Sequence, residues 1–181
     1  MKYKKLWTDM HSNIHHDQME ALPLWYEQIK KEMDFWPIAY YPFYMRPTSS
    51  GLAVEDRYED ELIEKDWEQV RQLALQAEKE GFPMFMGYEW QGAGLDGDHN
   101  VFFLENGEKQ EHPMRYQELV EAYKGKPVIG IPHHVAYQLG SRGKNWETHD
   151  EKFSPFAEIY SSHGCSENDD GPLMMNRHVH M

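Results

Sequence analysis

The sequence predicts an α/β protein built mostly on a parallel sheet, and three observations carry that expectation. Short runs rich in β-branched and aromatic residues alternate with longer stretches whose apolar residues recur at helical spacing. Connections between the runs are long enough to hold crossover helices, which join parallel strands. Several runs end in polar segments carrying Asp, Glu or His, as expected where functional groups gather at the carboxyl edge of such a sheet.

The elements follow in order. Residues 6–10 read as the first strand, whose alternation puts Asp9, His11 and Asn13 on one face. Pro23 sits in the first turn of a helix reaching about Met33, with Leu24, Ile29 and Met33 as apolar positions. Residues 35–41 form a second strand, in which Pro37 removes a ladder donor and points to an edge or an irregular start. Residues 42–54 carry two prolines and Ser49-Ser50-Gly51 and read as a loop bearing Arg46. A long helix spans 57–80, with Trp67, Val70, Leu73, Ala74 and Ala77 at helical spacing and Gly81 as its stop. The third strand is 82–89. The glycine-rich stretch 92–100 lacks the lysine of a phosphate-binding loop and opens no helix, so it reads as a hairpin connection into the apolar 101–104.

A helix over 115–123 stops near Gly125, and a compact strand at 127–131 ends in Pro132-His133-His134. After a loop with Arg142, Lys144 and Trp146, a last strand at 157–160 runs into Ser161-Ser162-His163-Gly164. Residues 173–181 neither complete a strand nor cap a helix, and His178 and His180 read as a frayed tail. The expected architecture is therefore one domain over 1–181 holding part of a barrel. Its last segment is expected from a longer natural chain, with a homo-oligomer as the alternative partner.

Composition limits the function classes. With 31 acidic against 18 basic residues the net charge is −13, which argues against a nucleic-acid or anionic-membrane surface but not against a small anionic substrate met through a metal. Cys165 is the only cysteine, so no intrachain disulfide forms and a cytoplasmic setting is expected, a secreted form with a removed signal being the alternative. No apolar run approaches the length of a membrane span.

Metal-competent groups stand at four strand ends: Asp9 with His11, Glu89, His133 with His134, and His163. On a parallel sheet these ends share one edge, so residues distant in sequence converge. Imidazole and carboxylate without thiolate suit zinc, manganese or iron, and an open site of that kind brings bound water to a pKa of about 7, which points to hydrolysis. In an extended chain His133 and His134 face opposite ways, so one of the two is expected at the metal.

Asp9-Met10-His11, Gly87-Tyr88-Glu89, Pro132-His133-His134 and Glu158-Ile159-Tyr160 with His163 resemble the successive motifs of the polymerase and histidinol phosphatase (PHP) superfamily. Glu89-Trp90 and the run His99-Asn100-Val101-Phe102 are similar to a divergent branch of it. The resemblance covers residues 7–164. It implies a distorted seven-stranded β/α barrel, one to three divalent metal ions and phosphoester hydrolysis. His11, Glu89, His133, His134, His163 and Asp17 would be the metal ligands, and Asp9, Asn13 and Glu158 their supporting partners. His99 and His163 would assist proton transfer, and Arg46, Tyr41, Asn100 and Arg142 would meet the substrate. The sequence departs from the pattern at Asn13, where a second histidine is usual, and at Tyr40-Tyr41, where the family carries an Asp-His pair; the final Asp-x-His would fall beyond Met181. The rival expectation is a barrel that has lost catalysis and binds a sugar or a protein through Trp36, Tyr40, Tyr41, Phe43, Tyr44 and Trp90.

Overall fold

The computed structural model describes residues 3–51, 53–92, 94–140 and 142–167, and the chain divides into two compact units, Met1–Tyr88 and Glu89–Met181. The fold is mixed α/β, with a parallel sheet and an antiparallel ribbon in the first unit and antiparallel pairing in the second; among the described residues neither unit closes into a barrel. Among those residues, too, no helix is long and apolar enough to cross a membrane. His178 and His180 lie outside them.

The first unit runs β1 (Ser12–His15), α1 (Leu22–Glu32), β2 (Trp36–Tyr41), β3 (Phe43–Pro47), β4 (Ala53–Arg57), α2 (Asp60–Glu80) and most of β5 (Met84–Trp90), whose last two residues belong to the second unit. β1 pairs with β2 and β2 with β5, all parallel. The first strand lies later than the pattern of residues 6–10 suggests. Leu6 and Trp7 are exposed whereas Ile14 is fully buried, so the apolar burial that fixes a strand falls at 12–15, and Asp9 and His11 precede it. β2 has partners on both sides, not an edge position. Pro37 fits there because the Trp36 N–H donates to the Pro83 carbonyl at 3.0 Å, which turns the Pro37 nitrogen toward β1, and β1 pairing begins only at Ile38.

Where a loop was expected over 42–54, β3 and β4 pair as an antiparallel ribbon, with a Gly51 N–H to Thr48 carbonyl bond of 3.1 Å after β3. Phe43, Tyr44 and Met45, opposite Arg57, Asp56 and Glu55, together with Val54 opposite Arg46, give it the β-forming content that outweighs its two prolines. α2 buries Ile63, Trp67, Val70, Leu73, Ala74 and Ala77 as its spacing predicts, and Gly81, at φ 76°, ends it in a left-handed cap. Asp66 lies on the same buried face. It accepts from the Tyr40 hydroxyl at 2.9 Å and sits 2.8 Å from His16 Nδ1, fastening the short helix His16–Ala21 to α2.

In the second unit β6 (His99–Phe103) pairs antiparallel with β7 (Val128–Pro132), and α3 (Tyr116–Ala122) lies between them in sequence. Val101, Phe103, Tyr116, Leu119, Tyr123 and Phe153 are buried. Gly130 in β7 permits that packing, since a Cβ there would lie 2.4 Å from the Phe153 ring. The strand expected at 157–160 is absent. Ile159 and Tyr160 are exposed and gain nothing from a sheet, and only β8 (Tyr160–Ser161) pairs with β9 (Gly164–Cys165) in a minimal hairpin. Of the six aromatic residues expected to line a binding face, Trp36, Tyr40 and Trp90 are core.

Candidate metal centre

The register of β6 and β7 begins the site. His99 lies opposite Pro132, and the His133 N–H donates to the Asp98 carbonyl at 3.0 Å, which carries the ladder one rung further and sets Asp98 beside His133. The chain then turns sharply. His134 has φ 58°, the only non-glycine residue in the left-handed region among the described residues, and the Tyr137 N–H closes the turn on its carbonyl at 3.0 Å. Strand alternation would send His133 and His134 to opposite faces; the left-handed turn instead sets their rings edge to face, 4.4 Å apart, and brings both to one cluster. Such a conformation costs about 1 kcal/mol for a residue with a side chain, and strain of this kind gathers at functional sites.

Glu89, at the end of β5, completes the group. Glu89, Asp98, His133 and His134 are all buried and offer ligand atoms within 4.8 Å of one another. His133 Nε2 is 3.4 Å from Glu89 Oε1, and the Arg142 guanidinium reaches to 3.9 Å from Asp98 Oδ2. Two carboxylates this deep lose hydration and repel each other, a penalty that a divalent cation offsets. Two imidazoles and two carboxylates with no thiolate are a donor set that fits zinc, manganese or iron.

Burial, reinforced by His133 and His163, drives the His134 imidazole down to about 2, so it stays neutral and keeps its lone pair. His99 is driven well below its usual value by burial and by the Lys144 charge. The sign of the pH dependence follows. Near and below pH 6.5 the unfolded chain binds protons that these two buried rings refuse, so their contribution is full above that value and is lost as the pH falls. Between about pH 6.5 and 5.5 the metal-free protein should lose roughly 1 kcal/mol per histidine, read from urea midpoints.

His163 joins the group, its ring 4.1 Å from that of His134 and its Nδ1 3.1 Å from the Tyr137 hydroxyl. Glu158 donates its N–H to the Pro132 carbonyl at 3.0 Å, beside the end of β7. His99 and Asn100 are buried within β6. The other expected residues belong to the first unit. Asp9 accepts the His11 backbone N–H at 2.8 Å. Asn13 lies inside β1, and Asp17 is exposed in the first turn of the His16–Ala21 helix. Tyr41 bonds to Glu55 and packs on the His15 ring at 4.6 Å, while Arg46 pairs with Asp56 across the β3–β4 ribbon.

Protein-family models, curated proteins and solved structures give no match to this chain.

Asp98 was not anticipated from sequence, although an acid directly before the His-Asn-Val-Phe run stands where an antiparallel strand would begin. Asp96 was also missed, and it holds the loop in place. Its buried carboxylate accepts from Arg115 Nε at 2.8 Å, the Tyr116 N–H at 3.0 Å and Asn145 Nδ2 at 3.1 Å. Burial pushes its pKa up, but the bonds donated by Arg115, Tyr116 and Asn145 outweigh that and hold it down at about 2.

Proposed function

We propose that the protein is a metal-dependent hydrolase acting on a small phosphoester, a divergent relative of the PHP superfamily. The observation that carries this reading is the buried Glu89-Asp98-His133-His134 group, three of whose members are residues that the motif resemblance singles out. The distorted seven-stranded barrel is the architecture that goes with the reading.

Glu89, Asp98, His133 and His134 would hold the cation. A divalent ion bound there supplies Lewis acidity and makes water acidic enough to act as a nucleophile at neutral pH. The protein's own part is preparation. Burial keeps His134 neutral and ready to ligate, the left-handed turn presents both histidines together, and the low exposure of all four groups strengthens every charge interaction in the centre. His163, braced by Tyr137 and less deeply buried than His134, would protonate a leaving oxygen. Arg142, beside Asp98, can fork onto an anionic oxygen of the substrate.

The test is turnover of a panel of phosphomonoesters and phosphodiesters by the purified protein, with and without added manganese or zinc. Metal-dependent hydrolysis that disappears in Glu89→Gln is expected. Rates equally flat with and without metal would remove the phosphoesterase assignment.

A further inference from the structure

Residues 3–7 present large apolar side chains to water while the backbone that carries them is tied down. Tyr3, Leu6 and Trp7 are 86%, 55% and 71% exposed. Asp34 holds the segment in three ways. Its carboxylate accepts from the Trp7 N–H at 2.9 Å and from Lys4 Nζ at 3.0 Å, and its own N–H donates to the Trp7 carbonyl at 2.9 Å. The Thr8 hydroxyl adds a bond to the Phe35 carbonyl. A segment fixed in this way has already lost much of the entropy that binding costs, and exposed apolar clusters mark contact surfaces.

The charge pattern identifies the partner. Along the segment, Lys4 and Lys5 precede Leu6 and Trp7, and Asp9 follows them; all five are exposed. The same unit carries the complementary order in an open groove of about 590 Å³ between the start of α1 and one face of α2. Met19, Leu22, Leu73 and Leu75 supply its apolar lining, with the exposed Glu68 toward one end and the exposed Lys79 toward the other. Those two charges stand about 16 Å apart along the helix, and Lys5 and Asp9 are at most about 14 Å apart along the chain, a difference that long side chains close. α2 as a whole carries seven acidic residues against three basic ones, so a lysine-led segment is drawn to it. No residue of the segment lines the groove of its own copy, so the match is one between copies.

We propose that residues 4–9 of one copy occupy the α1–α2 groove of a second copy, with Leu6 and Trp7 on the apolar lining, Lys5 at Glu68 and Asp9 at Lys79. A two-fold pair makes both contacts at once, so the assembly is a closed dimer. It uses none of the four groups of the metal centre and stands whether or not the protein is a hydrolase.

Sedimentation equilibrium of the full chain tests this. The contact is small, so a dimer with a dissociation constant on the order of 10–100 µM is expected. Leu6→Ser combined with Trp7→Ser should weaken it at least tenfold, and so should Leu75→Glu in the groove; Leu75→Gln serves if circular dichroism shows that the Glu variant does not fold. A charge exchange tests the pairing itself. Lys5→Glu and Glu68→Lys should each weaken the dimer several-fold, and the two together should restore most of the loss. A monomer at every concentration up to roughly 1 mM, a dimer indifferent to the Leu6 and Trp7 changes, or a double charge variant no better than either single one would overturn the proposal. So would a monomer that binds phosphatidylserine vesicles through Lys5 and Trp7, since the segment would then be a membrane contact.

Discussion

Asp96→Ala should lower the unfolding free energy by about 3–4 kcal/mol, because it removes a buried acceptor shared by several donors. Arg115, the Tyr116 N–H, Asn145 and Thr148 all converge on that carboxylate. Arg115 is part-exposed and can rehydrate, which keeps the expected loss below the sum of the bonds. The same loop delivers Asp98 and His99, so metal affinity should fall together with stability, by roughly 10–100-fold, the usual range for groups that orient ligands. Asp96 is held at about 2 in the fold and titrates near 3.8 in the unfolded chain, so its contribution is present above pH 3.8 and is lost as the pH falls toward 2. A urea midpoint for Asp96→Ala equal to wild type would show that other contacts fix the loop.

Glu89→Gln should behave in the opposite way. In the metal-free protein it removes one of two crowded, buried carboxylates, and stability should stay level or rise by about 1 kcal/mol. Wild-type protein with metal at 100 times its dissociation constant should gain about 2.7 kcal/mol from binding, and the variant should gain almost none of it. Thermal melts with and without manganese read both effects at once. A structural carboxylate would give the reverse, a large loss without metal and no change in the response to it.

Much of the fold was legible because its signals are local. The spacing of Trp67, Val70, Leu73, Ala74 and Ala77 fixes α2, and Gly81 ends it. What failed depended on pairing. Residues 6–10 resemble a strand, but the burial of Ile14 and its neighbours' register with β2 place the strand at 12–15. At the site, Glu89, His133 and His134 were visible as polar residues after apolar runs. Their joint use was not, since alternation assigns the two histidines opposite faces and only the φ of 58° at His134 brings them together. Asp98 escaped because it precedes a strand, whereas Glu89, His133 and His134 stand at the ends of apolar runs.

Cobalt(II) absorption measures directly whether Glu89, Asp98, His133 and His134 hold a divalent transition metal. Cobalt added to the metal-free protein should give visible ligand-field bands that saturate with stoichiometric metal, and these bands should be lost in Glu89→Gln and His133→Ala variants that still fold. A spectrum no different from that of cobalt in buffer, or bands that persist unchanged in both variants, would contradict it.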